Sequence, residues 1–303
     1  MNKMPAINLS HLPFPDVIQD LDYEAILAIL VSRFQTIWGE RRETKPDMPD
    51  YDVALLETDP GKIVLEVGAY AVLNVLQEIN DAAKALMLAT TSGSNLDNFA
   101  ADFNMERMTV TPATDSSPAV MESDTDFKLR RQLAPEGYAA AGPEGAYEYF
   151  SLSADASIRQ ARAVRGQDNR VDVVLLSRAG DGTVDQAVIE KVYAALSPKK
   201  TRPLTDNVYV RSANIIYQTV HVRIRVESGP DASALVNKAR DGIRTYISER
   251  SSIGTALRTD GIISGARQNN PVEKVEVLAP AFDVEPGAFD FIYVPEIIVD
   301  VSP

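Results

Sequence analysis

From Asp59 to Gly93 the apolar residues Leu65, Ala69, Val72, Leu76, Ile79, Ala83 and Leu86 follow one another at alternating steps of four and three. That is a 3.5-residue repeat, the period of a helix whose apolar seam packs along other helices. Asp59 and Pro60 supply an N-cap and a first-turn proline, so the pattern predicts a long helix beginning at Pro60 and running toward Gly93. Val64, Ala71, Val75 and Ala82 widen the apolar surface beyond one seam. A helix apolar over that much of its circumference needs more than one neighbour. The other long helical pattern nearby runs roughly from Asp22 to Trp38, before the charged, proline-bearing stretch ERRETKPDMPDYD, which reads as a linker. Two readings stand: the helix faces the core of its own domain, or other subunits cover what the first helix leaves open. On the second reading Leu65, Val72, Leu76, Ile79 and Leu86 are the candidate bundle interface.

The stretch from Met121 to Asp155 carries helix signals in tandem. Ser123 is placed to N-cap a helix, and Asp126, three residues on, is placed to return the bond as in a capping box. Phe127, Leu129, Arg130 and Arg131 come next until AAAG breaks the run, and Pro143 suits the first turn of a second helix holding Tyr147, Tyr149 and Phe150. Arg130 and Arg131 read as pairing with the nearby carboxylates Asp124 and Asp126 or with another subunit, and exposed pairing, worth about 0–1 kcal/mol, reads as orientation.

These residue types resemble the signature of the baseplate J-like family, the wedge proteins of contractile phage tails: an ESD-x-DF-[RK]-x-R run, then AG-x-x-GAY-x-Y, then S-AD. The resemblance is carried here by Glu122, Ser123, Asp126, Phe127, Arg130, Gly142, Gly145 and Tyr147, with Ser153-Ala154-Asp155 after them. INLSHLPFPDVIQDLDYEAILA near the N-terminus and ATTSGSNLDNFAADFNMER from Ala89 to Arg107 resemble P2-like members of the same family. Pro135 and Pro143 depart from its usual pattern. The resemblance implies a structural protein without catalytic residues, cofactor or metal. It implies a wedge in which two copies join one copy of a second, fibre-carrying subunit, with helices in a shared bundle and copies of neighbouring wedges in contact. It also implies contact with a sheath-initiator or hub-proximal baseplate protein, a place in the tail baseplate of a phage or tail-like bacteriocin, and assembly in the host bacterial cytoplasm. A wedge component of a related contractile secretion apparatus is the alternative, and an enzyme using the α/β half is a remote second one.

From Ile158 onward short strands alternate with helices. Val171 to Leu176 and Val208 to Arg211 read as strands flanking a helix from Val184 to Leu196. In TVHVRIRVE, Val220, Val222, Ile224 and Val226 alternate with His221, Arg223, Arg225 and Glu227, so one face is buried and the other is wet or meets a partner. Arg223 and Arg225 are therefore a candidate intersubunit contact, since arginine is enriched at interfaces. Helices carrying Leu235, Val236, Ala239, Ile243, Tyr246 and Ile247 and then Asp260 to Arg267 come after it, and strands at Val272 to Leu278 and Glu296 to Val301 close the chain. The expected fold is multidomain α+β: an N-terminal helical region (1–115) forming an intersubunit bundle, then two small α/β sandwiches (116–213 and 214–303).

The chain has 303 residues and no cysteine, which excludes disulfides and thiolate chemistry. A formal charge of -13 argues against a general nucleic-acid surface. No uninterrupted apolar run approaches the roughly 18–20 residues of a membrane helix, so no membrane partner is expected, and the start lacks the apolar core of a signal peptide. His11 and His221 have no nucleophile or carboxylate motif beside them. Gly180-Asp181-Gly182 reads as a turn and Pro60-Gly61-Lys62 as a helix start. Asp181 and Asp185 read as caps of the next helix.

Overall fold

The computed structural model describes residues 7, 9, 12–49, 59–139, 142–166, 170–197, 206–225, 232–268 and 272–302; His11, Val226 and Glu227 lie outside them. The described residues form eight α-helices and ten strands in four small sheets, a mixed α/β chain. It divides into two compact units, Ile7–Glu106 and Arg107–Pro303.

The first unit is helical. In α1 (Tyr23–Thr44) the Asp22 carboxylate accepts from the Ala25 N–H at 3.1 Å, as an N-cap should. The helix runs past Trp38 to Thr44 because Glu40, Arg41, Arg42 and Glu43 are good helix formers, so the first part of the expected linker is corrected to helix. In α2 (Pro60–Ala85) the Asp59 carboxylate accepts from the Gly61 and Lys62 N–H groups at 2.6 and 3.4 Å. This helix stops at Ala85, where the Thr90 hydroxyl donates to the Lys84 carbonyl at 2.7 Å. Gly93, expected as a terminator, instead opens α3 (Gly93–Ala101) with φ of 54°, a conformation that favours glycine. Between α1 and α2, Gly68 admits the Leu30 side chain, 3.6 Å from where a Cβ would stand. Asn80 is buried and grips the segment before α1: its amide donates to the Gln19 carbonyl at 2.8 Å and accepts from the Gln19 N–H at 3.0 Å.

The second unit has as its first strand β1 (Thr109–Thr111), antiparallel to β2 (Val120–Met121). Next come α4 (Asp124–Leu133), a 3-10 turn at Ala134–Tyr138 that opens on Pro135, and α5 (Glu144–Ala154), which starts one residue after Pro143. β3 (Ile158–Arg165) and β4 (Arg170–Ser177) form a hairpin, and α6 (Gln186–Leu196) crosses to β5 (Asn207–Ser212), parallel to β4. Tyr147, Leu152, Val192 and Leu196 from the helices cover one face of this sheet, packing on Ile158, Val173, Leu175 and Val208. On the other face Val174 and Leu176 meet Ile253 and Phe291. Burial on both faces explains the continuous apolar run of β4.

β6 (Asn214–Tyr217), β7 (Val220–Arg225), α7 (Ala232–Glu249), α8 (Thr259–Arg267), β8 (Lys274–Ala279), β9 (Asp290–Tyr293) and β10 (Ile297–Ser302) complete the chain. β7 is central, parallel to β10 and antiparallel to β8, while β6 and β9 pair parallel. The alternation in β7 holds: Val220, Val222 and Ile224 are fully buried under Ala239, Ile243, Ile262 and Ala266. Both three-stranded sheets have a central strand with one parallel and one antiparallel neighbour, but β4 comes directly after its hairpin partner whereas β7 reaches its antiparallel partner through α7 and α8. The outer face of β4 shares the core around Phe291 with the β6–β9 pair, and the two lobes lie in one compact unit.

Candidate assembly interface

The signature residues gather at the start of α4. The Ser123 hydroxyl accepts from the Asp126 N–H at 3.2 Å and donates to the Asp126 carboxylate at 2.6 Å, so the return bond reaches the hydroxyl instead of the backbone. Glu122 and Arg130 form a two-pronged pair, Nε to Oε1 at 3.0 Å and Nη2 to Oε2 at 2.6 Å, with side chains 2% and 6% exposed. The expectation of an exposed pair at Arg130 is thereby corrected. Phe127 is fully buried, and the guanidinium groups of Arg107 and Arg130 lie 5.0 and 5.1 Å from its ring centroid. Arg107 also donates to the Glu122 carbonyl at 2.9 Å and pairs with Asp124. Thus β2 is fastened to α4 by paired charge around one aromatic ring.

The later signature residues shape the corner before α5. Gly142 has φ of 64°, and a Cβ on Gly145 would stand 2.8 Å from the Glu136 side chain. Tyr147 is buried and its hydroxyl donates to Asp206 at 2.6 Å, tying α5 to the approach to β5. Sequence reasoning missed Arg107, Asp206, Arg159 and Arg178. Arg178 pairs with Asp126 at 2.6 Å across 52 residues of chain, a separation no local pattern encodes.

The candidate bundle residues divide. Leu65 and Leu76 are half-buried on the side of α2 that carries buried Ala69 and Asn80, whereas Val72, Ile79 and Leu86 are exposed. A second apolar stripe lies beside that seam: Val64, Ala71, Val75, Ile79, Ala82 and Leu86, spaced by seven, four, four, three and four, are all exposed. Val64 is 69% exposed and Leu86 76%. Buried apolar side chains in the helical unit, among the described residues, are Ala69, Leu96, Ala100 and Met105. By length and composition alone α2 is long and apolar enough to cross a bilayer, although Glu66, Asn74 and Gln77 interrupt any continuous apolar run.

Arg223 and Arg225 lie on the outer face of β7, 45% and 57% exposed, with Glu276 and Glu273 at 4.0 and 3.5 Å. His221 lies on the same face, 2.7 Å from Asp300. Exposed pairs of this kind contribute little stability.

Among the described residues no group of three or more His, Asp or Glu side chains is arranged to hold a metal ion. Asp181 accepts from the Thr183 N–H and from Tyr217, and Asp185 takes the N-cap position of α6 without a side-chain bond, so only the turn at Asp181 is held by its carboxylate. Glu148, on α5, is the buried carboxyl that stands apart. Burial pushes it up to about 7, the nearby Glu144 and Glu136 add to this, and the Ala163 N–H at 3.3 Å with Arg162 opposes it. Its Oε1 accepts from β3, the edge strand of its sheet.

The chain belongs to the baseplate J-like family. The profile of the Baseplate J-like N-terminal domain matches residues 57–114 and that of the Baseplate J-like central domain residues 139–212. Baseplate protein J of Escherichia phage P2 is 34% identical over 285 residues, covering 93% of each chain. α4, with its capping serine and buried ion pair, lies between the two matched segments.

Proposed function

We propose that this chain is a structural wedge subunit of a phage or tail-like bacteriocin baseplate, and that α2 joins a helical bundle with a second copy and with a second, fibre-carrying wedge subunit. The observation that carries this reading is the exposed stripe on α2, in a unit whose own buried apolar side chains are so few. Full burial of a valine or leucine side chain contributes roughly 1.5–3 kcal/mol, so covering Val64, Val75, Ile79 and Leu86 supplies a driving force of the size stable assembly needs. A bundle also accounts for the length and apolarity of α2 without a bilayer, because its charged residues, among them Glu66 and Glu78, lie along the same helix. Copies in neighbouring wedges and a sheath-initiator or hub-proximal protein complete the contacts. The Arg223 and Arg225 face is the weaker candidate among them, since its charges are already opposed by Glu276 and Glu273. In this role the subunit links wedges around the hub and passes on the trigger for sheath contraction, after assembly in the host cytoplasm.

The structure selects a sharper test than substitution at the seam with α1, where Leu76→Asp would damage the unit itself. Val64→Asp with Val75→Asp changes only side chains already exposed in the single chain. The double variant is expected to stay folded and to yield no intact tails in complementation, because charge buried in a bundle is heavily penalised. Normal tail yield from it would sink the reading.

A further inference from the structure

Beyond the signature helix, a line of polar contacts runs from α4 to the C-terminal lobe. The Asp126 carboxylate pairs with the Arg178 guanidinium, which also donates to the Ala156 carbonyl at 2.8 Å. Arg159, on β3, stands beside Arg178: the two line one small cavity with Glu122, Asp126 and Arg130. Among the described residues Arg159 has no carboxylate within ion-pair distance. Its guanidinium instead donates to the carbonyl and hydroxyl of Ser251 and lies 5.3 Å from the centroid of the Phe291 ring. Two more β3 side chains grip the same turn. The Gln160 amide oxygen accepts from the Ile253 N–H at 2.9 Å, and Arg162 donates to the Ile253 carbonyl at 3.0 Å. Gly254 comes next with φ of 74°, and a Cβ there would collide with the Arg162 guanidinium.

We infer that Asp126, acting through Arg178 and Arg159, is a latch that sets whether the Ser251–Gly254 turn is held against β3, and so fixes the C-terminal lobe on the middle one. Arg159 is the positioning residue. Two like charges sit side by side there, and the Asp126 carboxylate offsets one of them. Without it the Arg178 charge bears directly on Arg159, whose hold on Ser251 consists of neutral acceptors and one ring. The direction of the Arg159 shift agrees: burial and Arg178 lower its pKa, and Asp126 raises it. The latch is internal to one chain and stands or falls independently of the wedge reading.

The test is amide hydrogen exchange on the full chain, read at Ile253, whose N–H is the one given to β3, with the core of β4 as the reference for global opening. Asp126→Asn is expected to speed exchange at Ile253 by about tenfold relative to β4, the effect of losing a charge-supported hydrogen bond. Adding Arg178→Met removes the unopposed cation and is expected to return exchange to near the wild-type rate. Ser123→Ala, which removes the cap but keeps the Asp126 charge, is expected to leave Ile253 unchanged. The latch is refuted if Asp126→Asn leaves this amide slow, if the second substitution fails to rescue it, or if Ser123→Ala loosens it equally.

Discussion

At the residue scale the Glu122–Arg130 pair is the most consequential contact, because both partners are almost wholly withdrawn from water. Removing one partner of a buried pair leaves the other charge uncompensated, which costs about 3–5 kcal/mol. Arg130→Met is therefore expected to lower the denaturation midpoint sharply, by urea unfolding monitored at the aromatic signals. Glu148 gives a pH signature of definite sign. Its carboxyl is held up at about 7 against an ordinary value of 4.5, so between those values the folded chain keeps a proton that the unfolded chain releases. Its contribution to stability thus falls as pH rises through that window. Glu148→Gln keeps an acceptor for the Ala163 N–H and removes the titration. The variant is expected to match wild type near pH 4 and to exceed it at pH 8 by on the order of 3 kcal/mol. An unchanged pH profile would contradict the burial account. What the sequence made legible at this scale was local: Ser123 and Asp126 announce a cap three residues apart. Burial of Glu122 and Arg130 was not legible, because it depends on Arg107, which comes from the segment before β1 to the Glu122 carbonyl and the Phe127 ring that Arg130 also meets.

At the element scale, helices with capping chemistry were readable and strands without strong alternation were not. Asp22, Asp59 and Ser123 mark starts that the structure keeps within a residue. β3 was not delimited because its inward positions are largely alanines, Ala161 and Ala163, among four charged or amide side chains, and β6 and β9 are too short to show a period. Apolar periodicity fixed β7 and α7, but the crossing of α7 with α8 depends on two glycines that carry no sequence signal of their own. A Cβ on Gly242 would collide with the Gly265 carbonyl oxygen, so the helix backbones are in direct contact. Gly242→Ala is expected to force them apart and destabilise the chain by about 1–3 kcal/mol or more, as overpacking does. Thermal unfolding checks this, and a wild-type midpoint would mean that the two helices separate freely.

At the scale of the whole molecule the two units differ in how they are stabilised. Residues 107–303 enclose two large apolar clusters and the shared core between the lobes, joined by ion pairs at α4 and by the grip of β3 on the Ser251–Gly254 turn. The helical unit instead holds α1 on α2 through half-buried side chains and one buried asparagine, and leaves the Val64–Leu86 stripe open. Val64, Ala71, Val75 and Ala82, which widen the apolar surface beyond the 3.5-residue repeat, announced that stripe, but only the structure separated the half-buried seam from the exposed one. The central claim is that this second seam is completed by other subunits. Light scattering on the full chain co-expressed with its adjacent reading frames tests it directly, wild type beside the Val64→Asp, Val75→Asp variant. The account predicts a defined complex of two copies with one partner for wild type, and for the variant a folded monomer of unchanged helical content. A variant that assembles as wild type does, or a wild-type chain that stays monomeric with every neighbour present, would contradict it.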